Sequence, residues 1–240
     1  MKRFYKETAI DAGDGGFRVL LDGRPMRTPA KSVLVVPTRA LAEAIAAEWH
    51  AVPEKADINV SHLPLTRLAA TGIDRVASQR KRVVEDTAKY GASDLLCYRA
   101  TDPASLVQRQ ATIWQPLLDW LAERYGARLA VCTGTTFVNQ PSQAIDALQA
   151  AVAAHGDLAL SALYNLTHIA GSLAIGLAVS EGRLSAADAF AAAQLDELFQ
   201  IERWGADPIA TKRHDGIRHD IDAGATFLAL LENHRLAAAG

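Results

Sequence analysis

The residues best placed to do chemistry in this chain fall in one short stretch, Ala189–Gly205. Read as one helix advancing about 100° per residue, it puts Glu202 inside an apolar stripe formed by Leu195, Leu198 and Phe199. Glu197 falls about 140° away, between Ile201, Trp204 and Phe190. Asp196, Gln200 and Arg203 make up the one plainly polar face. A carboxylate among apolar neighbours is costly unless a cation or hydrogen-bond donor meets it. Three chemistries answer to that need. The glutamates could close internal ion pairs with arginines such as Arg67, Arg75 or Arg109. At least one could be held at a partly apolar surface for the cation of a partner. Or Glu197 and Glu202 could act as acid and base in a hydrolase-like enzyme, which requires both carboxyls in one cleft within ~10 Å. The angle between them opposes the third reading, and no nucleophile, metal or cofactor pattern accompanies it. Trp204 and Trp49 belong to the residue type most at home in both cores and interfaces.

Other reactive patterns are missing from the sequence. Gly13–Gly16 lies between two strand-like runs and lacks the Lys and helix of a phosphate-binding loop. No dinucleotide fingerprint and no nucleophile elbow occur. The seven histidines include no pair at metal-ligand spacing. His214 and His219, with Asp215, Asp220 and Asp222 nearby, read as a solvated polar loop, and His168 reads as a hydrogen-bonded core residue. Cys97 and Cys132 form no C-x-x-C and read as small buried hydrophobes. No metal and no cofactor are therefore expected. Arg75, Arg80, Lys81, Arg82 and Lys89 are diluted by Asp74, Glu85 and Asp86 and lack interleaved aromatics. With a formal net charge of −2 from 25 basic and 27 acidic residues, nucleic acid is not an expected partner.

Elements of two kinds must position these groups. The first ~37 residues alternate with period two. Phe4–Ile10, Phe17–Leu21, Arg24–Thr28 and Ser32–Val36 read as strands, and Asp22-Gly23 is a two-residue hairpin signal. At Pro37-Thr38 the period becomes 3.6, with Thr38 as N-cap of a helix through Trp49. From Pro64 the chain reads helical: 65–76, 81–90, 103–125 ended by Gly126, 142–155, an apolar helix 158–179, a helix opened by Ser185 and running to Trp204, and a last helix 217–236. Leu129–Thr133 is the one late strand candidate, and the tail Ala237–Gly240 is expected to fray. The apolar run Leu158–Val179 is long enough to span a bilayer. Its Ser161, Asn165, Thr167, His168 and Ser172 favour a buried helix, so no membrane insertion is expected. Strands followed by helices define an α+β fold: a small N-terminal antiparallel β domain over residues 1–60, then a larger mainly α-helical domain over 61–240. The N-terminal MKRFYKETAI carries no apolar signal region.

Five blocks occur in order along the chain. They are RFYKE at Arg3–Glu7, GGFRVLLDGRPMRTPAKSVLVVPTRALAEAIAAEW at Gly15–Trp49, PLTRLAATGIDRV at Pro64–Val76, DLLCYRA at Asp94–Ala100 and LDELFQIERWG at Leu195–Gly205. With them the chain resembles, over nearly its whole length, the ATP-twelve family of F-type ATP synthase assembly chaperones. The resemblance implies the same β-then-helical architecture and a non-enzymatic role. Members bind the free α subunit of the catalytic head and hold it until β subunits assemble with it. It implies that the functional family glutamate falls at Glu197, with Asp196 beside it, whereas some relatives carry glutamine where Glu202 stands. Leu198-Phe199 replaces the acidic-aromatic pair of many relatives, leaving one negative charge fewer. The expected partner-binding set is Glu197, Asp196, Glu202, Trp204 and Trp49, on a monomeric protein of the bacterial cytoplasm whose relatives include mitochondrial proteins.

Overall fold

The computed structural model describes residues 2–134, 136–205 and 207–237, with side chains as far as residue 232. In chain order the elements are β1 (Thr8–Gly13), β2 (Gly16–Leu21), β3 (Arg24–Pro25), β4 (Val35–Val36), α1 (Arg39–His50), α2 (Pro64–Thr71), α3 (Ala77–Ala88), β5 (Tyr98–Arg99), α4 (Ala104–Tyr125), β6 (Cys132–Thr133), α5 (Ser142–Ala153), α6 (Asp157–Ala170), α7 (Leu173–Ser180), α8 (Ala186–Ala193), α9 (Leu195–Trp204) and α10 (Pro208–Ala237). The fold is α+β, a small N-terminal antiparallel sheet followed by helices. Two compact units divide the chain. One takes the chain up to Arg80, Asp157–Ala162 and the chain from Thr226; the other takes Lys81–Gly156 and Leu163–Ala225.

In the first unit β1 and β2 pair antiparallel from Thr8↔Leu21 to Gly13↔Gly16. The first strand therefore begins later than expected and runs to the end of the Asp-Ala-Gly segment, leaving Asp14-Gly15 as the turn. Gly16 is needed there: a Cβ on it would lie 2.3 Å from the Val36 carbonyl oxygen. Asp22 and Gly23 both adopt positive φ, 48° and 74°, the twist that a two-residue hairpin requires. Strands β3 and β4 each pair with β2, and α1 covers the sheet with Leu41, Ala42, Ile45, Ala46 and Trp49 buried. Thr38 caps α1, accepting from the Leu41 N–H at 3.2 Å. Glu48 then sets the next helix. Its carboxylate accepts from the backbone N–H groups of Leu65 and Thr66 at 2.6 and 2.9 Å, where the helix start offers unpaired donors.

Packing in the second unit centres on α7, whose eight residues are all buried. The expected helix over 158–179 is divided here. Gly171 adopts φ 66° and ends α6, and Ser172 caps α7 by accepting from Ile175 N–H at 3.1 Å. Asp94, fully buried, adds a second cap: its Oδ2 accepts from Ala174 N–H at 3.0 Å and its Oδ1 from Leu96 N–H at 3.1 Å. Helix α4 packs on α5, α7 and α9, and α8 packs on α7 and α9. Gly176 permits a close approach, because a Cβ there would lie 2.5 Å from Thr167 Oγ1. The late strand shrinks to Cys132–Thr133, which pairs in parallel with Tyr98–Arg99; the latter has too short a run to show a period. The helix expected over 185–204 also breaks, at Gln194 (φ −108°, ψ 19°). Among the described residues no helix is long and apolar enough to cross a membrane. The terminal Ala238–Gly240 lies outside the described residues.

Burial raises the Asp94 carboxyl above the usual carboxylate range, against the lowering effect of the N–H groups that face it. Asp94→Asn keeps the shape but leaves one of the two N–H groups facing an amide instead of an oxygen. It is expected to lower unfolding free energy by about 1–3 kcal/mol, read as a lower urea midpoint at unchanged slope.

Candidate partner-binding site

Helix α9 and the first turns of α10 carry the site, and both lie in the second unit. Of the ten residues of α9 only Leu195 and Phe199 are buried. Hydrogen bonds and ion pairs tie down Asp196, Glu197, Glu202 and Arg203. Asp196 Oδ1 accepts from Gln110 Nε2 of α4 at 2.7 Å. Gln110 is itself buried and fixed through its oxygen by the Ala100 N–H at 2.8 Å. Glu202 receives a two-pronged grip from Arg109 of α4, whose Nη1 and Nη2 donate to its two oxygens at 2.8 Å each. The guanidiniums of Arg109 and Arg203 both lie over the Phe199 ring, at 5.1 and 4.4 Å.

Glu197 turns the other way, to α10. Arg213 Nη2 donates to its Oε1. His214 Nε2 donates to Oε2 at 2.8 Å. His214 is buried, and its ring stands edge-on to Phe190 of α8 at 5.9 Å. Helix α10 is begun by Asp207, whose Oδ1 accepts from the N–H groups of Ile209 and Ala210 at 2.8 and 2.9 Å. This corrects the expected loop: the segment holding His214 is helical from Pro208, an Asp-Pro start in which the missing Pro N–H costs nothing. Arg213 and His214, which no sequence pattern singles out as partners of Glu197, reach it from this helix. Asp207-Pro208 was the signal that could have found them.

Both glutamates are thus paired inside the chain. Arg109, one of the three arginines expected, meets Glu202, and the apolar stripe around Glu202 is interrupted at its far end, where its side chain is 56% exposed. The break at Gln194 removes Phe190 from the α9 frame. Trp204 is 75% exposed, and Ile209, five residues on, is 83% exposed. Trp49 does not join them. It is buried in the first unit, its indole donating to Thr66 Oγ1 at 3.0 Å and its carbonyl accepting from Tyr5 at 2.6 Å.

The two carboxyls serve different cations on different helices, so they do not form the dyad that acid-base hydrolysis would need. Among the described residues no group of three or more His, Cys, Asp or Glu side chains could hold a metal. Cys97 is buried, and burial pushes its thiol up to about 12. What the arrangement presents is an oriented, ionised carboxylate on a helix that also exposes a large indole.

A chain that carries such a helical surface, with an antiparallel sheet at its N-terminus, matches a family of protein-assembly chaperones. The sequence profile of the ATP12 chaperone protein family matches residues 2–122, and the chain belongs to that family, whose members are ATP synthase assembly chaperones. The solved structure of Atp12 from Paracoccus denitrificans is similar at 42% identity and TM-score 0.88, over 96% of this chain and 98% of that one. A putative chaperone from Agrobacterium tumefaciens is similar at 41% identity and TM-score 0.89, over 96% of this chain and 86% of that one. Among curated proteins, mitochondrial atp12 of Schizosaccharomyces pombe is 24% identical over 221 residues, 85% of this chain and 74% of that one.

Partial burial pushes the Glu197 carboxyl up, but Arg213 and His214 more than offset this and hold it below its usual range. Arg109 holds Glu202 below its usual range as well. A carboxyl depressed in the folded state stabilises fully above its unfolded value, and that contribution is lost as pH falls through the lower folded value. Unfolding followed between pH 6 and 3 should therefore show an acid limb of declining stability. Glu197→Gln is expected to flatten that limb relative to wild type, and equal limbs would mean the pairing contributes nothing.

Proposed function

We propose that this chain captures the free α subunit of the ATP synthase catalytic head and covers its β-facing surface until β subunits join it. An isolated subunit exposes a large face meant for its neighbour, and such a face associates with itself or with other chains. The contact on the chaperone is α9 with the start of α10: Glu197 takes a client cation, Asp196 and Glu202 keep the helix in place, and Trp204 covers apolar surface. Trp49 supports the fold from the core of the first unit. The single observation that carries this reading is the pairing of a 75% exposed tryptophan with an ionised glutamate on one face of a helix that α4 and α10 hold by charge. That mixture suits a moderate, partly polar contact that can be released. The chain transforms no substrate in this reading and works as a monomer in the bacterial cytoplasm. The bacterial relatives at 41–42% identity, against 24% for the mitochondrial one, favour that setting.

Dilution of isolated α subunit from denaturant, followed by light scattering, tests the role. Wild-type protein should suppress aggregation. Glu197→Lys, which sets an ammonium against Arg213 and removes the acceptor of His214, should not. Glu197→Gln should fall between them, and circular dichroism should report a retained fold for both. Full protection by a folded Glu197→Lys protein would refute the role given to Glu197. Co-purification with β but not α, when each is expressed singly, would refute the choice of client.

A further inference from the structure

The two oxygens of Glu197 are held in different ways. Oε2 accepts from His214, which is 8% exposed and set edge-on against Phe190, so that side of the carboxylate is fixed by packing. Oε1 accepts from Arg213, whose side chain is 57% exposed, while that of Glu197 is 43% exposed. Arg213 and His214 are chain neighbours, so one turn of α10 delivers a buried donor to one oxygen and a solvent-facing donor to the other. The flanking positions share this face. Trp204 is seven residues, two helical turns, beyond Glu197 on α9. Ile209 is four residues before Arg213 on α10, the spacing that stacks side chains on one side of a helix. Both are exposed.

We propose that Arg213 is an internal competitor for the client's cation at Glu197. In the free chaperone it occupies the outward oxygen, and a client must displace it while His214 keeps the carboxylate aimed. This rests on the reading that Glu197 takes a client cation. Exchange is energetically easy, because a solvent-exposed ion pair contributes little to stability. It is also selective. A stray lysine or arginine gains nothing by replacing one exposed pair with another. A client gains only if it also covers Trp204 and Ile209, so the competitor makes the apolar contact a condition of capture. His214 acts as a positioning residue for the carboxylate, and Arg213 sets the threshold for occupying it.

Affinity of the full-length protein for isolated ATP synthase α subunit, measured at one fixed ionic strength, tests this. Arg213→Ala should tighten binding by about two- to fivefold, the scale of one exposed ion pair. Lys212→Ala, which removes the same charge one residue away, should leave affinity unchanged. Glu197→Gln should weaken binding, and adding Arg213→Ala to it should recover nothing. If Glu197→Gln weakens binding while Arg213→Ala weakens it or leaves it the same, the competitor role is overturned and the client-binding role of Glu197 stands. An equal gain from Lys212→Ala would reduce the effect to overall charge and also overturn the competitor. If Glu197→Gln has no effect, the underlying reading of the site fails, whatever Arg213 does.

Discussion

Helix α9 is oriented by polar contacts on two sides, around two buried anchors, and the rest of the site depends on that. Two of its ten residues are buried. A helix of that length in water is marginal alone and normally owes its place to an apolar face pressed on a core. Here Glu202 locks it to Arg109 on α4, Asp196 to Gln110 on α4, and Glu197 to Arg213 and His214 on α10. Because polar contacts set its position, its apolar residues are not all consumed by packing. Trp204 can stay in solvent without loosening the helix, and Glu197 and Glu202 keep their charge.

Carboxylates elsewhere in the chain do the opposite job. Burial raises Glu48 and Asp94 above their usual range even though backbone N–H groups face them. Both sit at helix starts, Glu48 on α2 and Asp94 on α7, where unpaired N–H groups and the helix dipole favour an anion. The recurrent blocks of the sequence divide along this line. In EW with PLT, Glu48 and Trp49 bind Leu65 and Thr66. In DLL, Asp94 binds Leu96 and Ala174. These are folding contacts. LDELFQIERWG alone carries Glu197 and Glu202, both held below the usual carboxylate range, at the surface together with an exposed indole.

How far the sequence disclosed this differed from element to element. The change of period at Thr38, the Asp22-Gly23 hairpin, the Gly126 stop and the α+β order were legible, because each depends on local backbone preferences. The division at Gly171-Ser172 was locally marked, by a C-cap glycine followed by an N-cap serine, but uninterrupted apolar residues on both sides masked it. The break at Gln194 had no local mark: neither Gly nor Pro stands there, and the Ala192 carbonyl beside it accepts from the distant Trp114 indole of α4 at 2.9 Å. Within α9 the angular separation of Glu197 from Glu202 was readable and matches their opposite partners. Which donors meet Glu197 was not, since the residues around His214 read as a polar loop and only the capping contacts of Asp207 reveal a helix start there. The burial of Trp49 and exposure of Trp204 could not be told apart by residue type, because an indole suits either place.

Reversible capture places opposing demands on such a surface. A site must be rigid enough to select a partner, since flexible acids and exposed indoles attract many cations and many apolar patches. It must also give up little of its own stability on binding, or release becomes slow. Fixing the carboxylate from beneath with buried His214, while leaving its outer side to the exposed Arg213, meets both demands at once. Orientation comes from packing that binding does not disturb. Only the outer ion pair has to change partners, and it stands in high dielectric, where such an exchange is close to neutral. Affinity at this site would then be governed by how much apolar area a client brings to Trp204 and Ile209, and that area can be withdrawn by any competitor able to cover the client's surface more completely.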